Sequence, residues 1–159
     1  HRPGFFNGVA TVVTKLLIQT GANRAFFGEK DYQQLLIIKR MAHDLDITTV
    51  IEGVETVREG DGLALSSRNI YLTEKERQTA ALLYKTLMAV AQSSRVGNDI
   101  STQEAWGRER LLNAGFSSVD YFSVLDAETL LPTLDASRLR RVLAAAKLGK
   151  ARLIDNVQA

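Results

Sequence analysis

The chain contains no cysteine. This removes disulfides, thiolate metal sites and cysteine nucleophiles, and it fits a cytoplasmic setting. Its two histidines, His1 and His43, have no spacing that makes a metal-ligating pair. No apolar run approaches the roughly 20 residues a membrane-spanning helix needs, and the N-terminus lacks a basic-then-apolar export pattern. The expectation is a soluble, cytoplasmic protein without a membrane partner. No Ser/His/Asp or carboxylate-pair arrangement stands out. There is no initiator methionine, and the chain reads as starting inside a domain.

What is present suits a packed fold. The 159 residues are 45% hydrophobic, enough for one ordinary domain or two small ones. Net charge is +2 and the pI is about 9.0. A nucleic-acid reader clusters such charge on one face. Here the dense group is Arg138, Arg140 and Arg141, which reads as leading into a strand. RNA binding is therefore the weakest of the readings, and no nucleic-acid partner is expected.

Hydrophobic spacing orders the chain. Asn7 and Gly8 open a helix with Val9, Val12, Val13, Leu16 and Leu17 on one side, closed by Gly21. Arg24 to Gly28 reads as a strand. Asp31 then caps a helix whose core stripe is Leu35, Ile38, Met41 or Ala42, and Leu45. Thr48 to Ile51 is β-branched and reads as a second strand. Strand, helix, strand over this span is a βαβ unit with parallel strands and a right-handed crossover. Ligands of open parallel sheets gather at the carboxyl ends of strands, where Gly28 and Gly53 fall.

Residues 54–72 read as a long polar loop and domain junction. Thr73 with Glu76 forms a capping box opening a helix to about Ser94, and Ser101 with Glu104 a second box opening a helix that ends at Gly115. Val119 to Leu125, Arg140 to Leu148 and Arg152 to Ile154 read as antiparallel strands, with Gly149 in a hairpin turn. The expected class is α/β: part of a Rossmann-like parallel sheet over 1–56, a hinge and phosphate loop over 57–72, and a small α+β domain over 73–159.

Two stretches invite phosphate. Lys30 follows Gly28 and Glu29 beside a helix N-terminus, where a fixed cation and free backbone N–H groups together favour an anion. Taken alone it reads better as a solvated turn lysine, and Asp31 as an N-cap. Gln34 is either the reciprocal half of a capping box with Asp31 or an amide facing a substrate. Ser66, Ser67 and Arg68 offer two hydroxyls and a guanidinium able to close over a polyphosphate, or simply a polar turn. Asp61-Gly62 is a turn pair, Arg2 a frayed terminal arginine or a carboxylate clamp, and Trp106 and His43 helix residues.

The combination is more specific than its parts. Arg2-Pro3-Gly4, Gly8-Val9-Ala10-Thr11-Val12-Val13, Lys15-Leu16 and Phe27-Gly28-Glu29-Lys30-Asp31-Tyr32-Gln33-Gln34-Leu35 resemble the pantothenate synthetase (pantoate-β-alanine ligase) family. So do Val57-Arg58-Glu59, Asp61-Gly62-Leu63-Ala64, Ser66-Ser67-Arg68-Asn69, Tyr71-Leu72 and Ala151-Arg152-Leu153-Ile154-Asp155-Asn156. The resemblance covers essentially the whole chain. It implies an adenylate-forming ligase of the pantothenate and coenzyme A pathway. Pantoate carboxylate attacks the α-phosphate of ATP, giving pantoyl adenylate and pyrophosphate, and the β-alanine amine then displaces AMP with Mg2+ assisting.

The resemblance places Gly28, Glu29, Lys30 and Asp31 at ATP, with Lys30 on phosphate, and Val57 beside the adenine through its backbone. Leu65, Ser66, Ser67 and Arg68 match a flexible phosphate loop like that of class I aminoacyl-tRNA synthetases. Lys30, Ser66, Ser67 and Arg68 thereby become the catalytic candidates, and Gln34 and Arg2 the pantoate-binding ones. The intact family enzyme is commonly a homodimer. Departures are equally plain: Phe5 stands where the family often has His, Glu55 where it often has Pro, and Ala22-Asn23 where Pro-Asp is usual. The family's His-x-Gly-His phosphate site has no match here, so the chain reads as a C-terminal portion that cannot form the adenylate efficiently alone. The alternative is a non-catalytic module that keeps the fold and binds a nucleotide or a partner.

Overall fold

The computed structural model describes residues 4–95, 99–133, 135 and 137–159, so Arg2 lies outside the described residues. The chain divides into two compact units, His1–Thr56 and Val57–Ala159.

The first unit is α1 (Phe5–Thr20), β1 (Arg24–Gly28), a 3-10 turn (Glu29–Asp31), α2 (Tyr32–Asp44) and β2 (Val50–Val54). The strands are parallel, with Arg24 opposite Val50 and Gly28 opposite Val54. Helix α1 begins at Phe5, directly after Gly4 in the left-handed region, rather than at Asn7 or Gly8, and Gly21 closes it with a positive φ. Its buried stripe is narrower than expected: Leu17 is buried and Val13 half-buried, while Val12 and Leu16 are exposed. Thr14 Oγ1 lies 2.9 Å from Met41 Sδ, so the side at positions 13, 14 and 17 faces α2. On α2 the buried residues are Leu35, Ile38 and Ala42, while Leu45 ends the helix exposed.

Strand β2 begins two residues later than the expected Thr48 to Ile51 and runs on to Val54. The Thr49 hydroxyl donates to the Ala22 carbonyl at 2.7 Å, which ties Thr49 to the turn before β1, and the ladder starts at Val50. One sheet face carries Ala25, Phe27, Ile51 and Gly53, with Leu35 of α2 against Gly53. The opposite face carries Phe26, Val50 and Val54, which are 62%, 54% and 45% exposed, with an Arg24–Glu52 ion pair of 2.5 Å between them.

The second unit holds α3 (Glu74–Ala80), α4 (Leu82–Arg95), α5 (Ile100–Asn113), β3 (Ser118–Asp126), β4 (Arg140–Leu148) and β5 (Ala151–Gln158). The three strands form one antiparallel sheet in sequence order. The Thr73–Glu76 capping box is formed. The single helix expected after it is two, because the hydrogen-bond ladder breaks at Ala81, whose backbone stays in the right-handed region. Helix α5 is capped by Asp99, whose carboxylate accepts the Thr102 N–H at 2.7 Å; the Ser101 hydroxyl donates to that same carboxylate, and Glu104 accepts the Val124 N–H instead. The nearer carboxylate outcompetes the serine for the free amide. Strand β5 is longer than Arg152 to Ile154, and all eight of its residues pair with β4. The core gathers Leu83, Leu87, Val90, Leu111, Phe122, Val142, Ala144 and Leu153 between helices and sheet. Among the described residues no helix is long and apolar enough to cross a membrane.

Candidate functional site

In the first unit the chain leaves β1 through Gly28, extended at φ −66° and ψ 131°, and turns through Glu29–Asp31 into α2. Gly53 closes the neighbouring strand end. A Cβ there would stand 3.0 Å from Glu29 Oε1 and 3.1 Å from Leu35 Cδ2, so the Glu29 side chain lies across the end of β2 because residue 53 has none. Lys30 is half-buried, and neither Glu29 nor Lys30 is an unengaged side chain. Asp31 occupies the N-cap position of α2, yet its side chain makes no capping hydrogen bond. Of the two readings of Gln34, the capping box with Asp31 is therefore not formed. Gln34 sits half-buried in the first turn, and its amide is not spent on the helix end. Gly28, Glu29, Lys30, Asp31 and Gln34 thus share the carboxyl edge of the parallel pair.

In the second unit the segment read as a bare loop is a built β-hairpin. The Leu65 N–H donates to the Val57 carbonyl and the Glu59 N–H to the Leu63 carbonyl, both at 2.9 Å, and Gly62 returns a bond to Glu59. The Asp61 carboxylate bonds the Leu63 N–H at 3.2 Å and takes an Arg77 fork at 2.6 and 3.2 Å. The Arg77 guanidinium holds the Asp61 carboxyl below its ordinary range. Gly62 has φ +95°, and the Tyr84 ring lies 2.2 Å from where a Cβ would stand, so glycine serves the turn and the close approach together.

After the hairpin comes a 3-10 turn, Ser67–Tyr71. The Ser66 hydroxyl accepts the Arg68 N–H at 3.2 Å, and the Ser66 carbonyl accepts the Asn69 N–H at 3.0 Å. The Asn69 side-chain amide donates to the Ala64 carbonyl at 3.1 Å, and its Oδ1 is buried without a partner among the described residues. Ser67 and Arg68 are exposed, and the Arg68 guanidinium has no hydrogen bond or ion pair among the described residues. Val57, Leu65, Ile70 and Tyr71 are exposed apolar side chains of the same stretch. Of the side chains passed over in the sequence, His43 is exposed beside Asp44, and Trp106 lies on the surface under Arg110.

The profile of the family described as "Pantoate-beta-alanine ligase" matches residues 1–158. The chain belongs to the pantoate-β-alanine ligase family. Its relatives include a pantothenate synthetase of Paramagnetospirillum magneticum, 54% identical over 156 residues, which are 98% of this chain and 55% of that protein. Another, from Cereibacter sphaeroides, is 50% identical over 157 residues, 99% of this chain and 56% of its own. The crystal structure of pantothenate synthetase from Thermus thermophilus superposes with a TM-score of 0.90 at 45% identity, over 99% of this chain and 57% of that one. The Francisella tularensis pantoate-β-alanine ligase, complexed with β-γ ATP and β-alanine, superposes with a TM-score of 0.74 at 34% identity over 99% of this chain and 51% of its own. The chain spans about half the length of the curated relatives it matches.

In this chain, sequence reasoning missed Arg58 and Asp155. The Arg58 fork donates to Asp155 at 2.6 and 2.9 Å and to the Gly62 carbonyl at 3.0 Å, and stacks 4.0 Å over Tyr84. The partners lie 97 residues apart, so no local spacing betrays them. Among the described residues no cluster of His, Asp or Glu could hold a metal ion by itself.

Proposed function

We propose that the chain carries part of the machinery by which a pantothenate synthetase condenses pantoate with β-alanine at the expense of ATP. The observation that supports this most is Arg68: an exposed guanidinium with no partner among the described residues, beside the Ser66 and Ser67 hydroxyls on a turn whose backbone is internally bonded. In that role Arg68, Ser66 and Ser67 balance charge on the phosphates as pyrophosphate leaves, and Val57 and Leu65 offer backbone and apolar surface to the base. Gly28, Glu29, Lys30 and Asp31 form the other ATP-binding group, with Lys30 on phosphate. Gln34 and Arg2 bind pantoate. No covalent enzyme intermediate is needed. Pantoate carboxylate attacks the α-phosphate, and the β-alanine amine then displaces AMP from the acyl carbon, so catalysis is positioning and charge stabilisation.

Mg2+ belongs to this chemistry as a companion of the ATP phosphates. The described residues do not form a protein cage for it. The reading assigns 1–56 to nucleotide and pantoate binding, 57–72 to hinge and phosphate loop, and 73–159 to a small C-terminal domain. The intact enzyme is cytoplasmic and homodimeric in this reading.

The test is pyrophosphate release from ATP and pantoate. Joined to the portion that the longer relatives carry, the chain releases pyrophosphate only when pantoate is present, and Arg68→Ala lowers kcat by about 10²–10³. The 159-residue chain alone is expected to release little. Robust turnover by it alone overturns the division of labour. Nucleotide binding that ignores pantoate, with no pyrophosphate formed by the joined protein, replaces the ligase with a binding module.

A further inference from the structure

Strand β5 contains a charge where its pattern calls for an apolar side chain. Alternation places Ala151, Leu153, Asp155 and Val157 on one face, opposite Leu148, Ala146, Ala144 and Val142 of β4. All of these except Asp155 belong to the apolar core cluster. The Asp155 side chain is 2% exposed and that of its partner Arg58 is 19% exposed. A buried ion pair is weak evidence for stability, since apolar replacements of similar volume are often as stable or more so. Its position therefore asks for another reason.

The contacts of Arg58 supply one. Its fork binds both Asp155 oxygens, its Nη1 also reaches the Gly62 carbonyl at 3.0 Å, and its Nη2 lies 3.4 Å from the Asn156 carbonyl. Arg58 is also the residue paired with Ala64 across the hairpin. The same side chain thus fixes the first strand of the hairpin to the centre of the sheet and holds the Gly62 turn against Tyr84. Ala64 in turn receives the Asn69 amide, and Leu65 is bonded to Val57. The path from the sheet to Ser66, Ser67 and Arg68 is therefore a chain of directional bonds beginning at Asp155. A planar fork sets direction as well as distance, which an ammonium does not.

We propose that Arg58, held by Asp155, is a positioning residue for Ser66, Ser67 and Arg68. It never touches the ligand; it fixes the strut from which the loop hangs. That the loop grips phosphate rests on the function proposed above. That Arg58 orders the loop does not, and the two are tested separately.

The experiment is residue-resolved amide exchange on the 159-residue chain and three variants: Arg58→Lys, Asn69→Ala, and the apolar double change Arg58→Met with Asp155→Leu. The double change removes the fork without leaving a buried charge, so the fold is kept. Expected is exchange faster by about tenfold or more at Leu65, Arg68, Asn69 and Leu72 in Arg58→Lys and in the double variant, as losing a charge-assisted hydrogen bond implies. Amides of β4 should stay within about twofold. Asn69→Ala, which cuts only the last link, should free Arg68 and Leu72 while leaving Glu59 and Leu65 protected. An unchanged loop in the folded double variant, or loop and β4 amides loosening together, overturns the proposal. Titrating inorganic pyrophosphate into the unaltered chain tests the other reading. Shifts at Ser67 and Arg68 support phosphate binding, and their absence counts against it without touching the exchange result.

Discussion

Residues 57–159 bury a continuous apolar cluster that runs from α3 and α4 through α5 to all three strands. Residues 1–56 bury Leu17, Leu35, Ile38 and Ala42 and leave Phe26, Val50 and Val54 exposed on one face of a two-stranded parallel sheet. The difference follows from topology. An antiparallel sheet closes with hairpins and needs cover on one face only, whereas parallel strands ordinarily carry helices on both faces. The larger unit meets its own requirement, and the smaller one, among the described residues, meets half of it. The candidate residues follow the same contrast. Ser66, Ser67 and Arg68 hang from a strut bonded into that larger core, whereas Gly28 to Asp31 lie at the rim of the two-stranded sheet.

Separating the units is the harshest way to break this comparison. Residues 57–159 produced alone should unfold in one cooperative thermal transition, seen in the near-ultraviolet signal of Trp106 on α5. Residues 1–56 alone should show no cooperative transition, because a chain of about 60 residues is marginal even with a closed core. A sharp melt of the small unit would remove the contrast. Within the large unit the core can be probed singly. Leu87 is fully buried, and Leu87→Ala should cost about 2–5 kcal/mol in a urea titration followed through Trp106.

The pattern of what could be foreseen has the same physical origin. Features held by neighbours along the chain were legible: the parallel pair, the Thr73–Glu76 box, the Gly149 turn and the strand at Arg140. Local competition between near-equal caps was not, so Asp99 displaced Ser101 as the cap of α5, and Asp31 caps nothing. That Ser66, Ser67 and Arg68 stand together was legible, because they are adjacent in the chain. What orders them was hidden, because Arg58 and Asp155 meet only after the whole second unit has folded between them.

Acid sharpens the comparison more gently. In residues 57–159 Arg77 holds the Asp61 carboxyl low, Arg138 does so for Asp126, and the Ser137 hydroxyl for Asp135. The Ser101 hydroxyl and the Thr102 amide bring Asp99 down to about 2. In residues 1–56 Asp44, beside Arg40, is the carboxyl so held among the described residues. A carboxyl lowered by folding contributes its full stabilisation above the unfolded value of about 3.9 and loses it as pH falls through the folded value. The Trp106-monitored midpoint should therefore be flat above about pH 5 and fall steeply between about pH 4 and 2. Asp61→Asn should make that fall shallower, and a midpoint that instead rises on acidification would contradict the assigned pairs.

The smallest expected effect tests the open face itself. Phe26 projects from β1 beside Val50 and Val54 and is 62% exposed. A core phenylalanine costs about 3–5 kcal/mol to truncate, whereas a surface change away from caps and ion pairs stays within about 0.5 kcal/mol. Phe26→Thr puts a β-branched strand former in place of the ring, preserves the parallel ladder and leaves the Arg24–Glu52 pair in place. The Trp106-monitored stability of the large unit should not move, and exchange of the β1 and β2 amides should change by less than about threefold. The same substitution made in a protein that includes the portion carried by the longer relatives discriminates further. A cost of several kcal/mol appearing only there would show that this face is covered when that portion is present, while an unchanged value in both would leave the face a solvent surface in each.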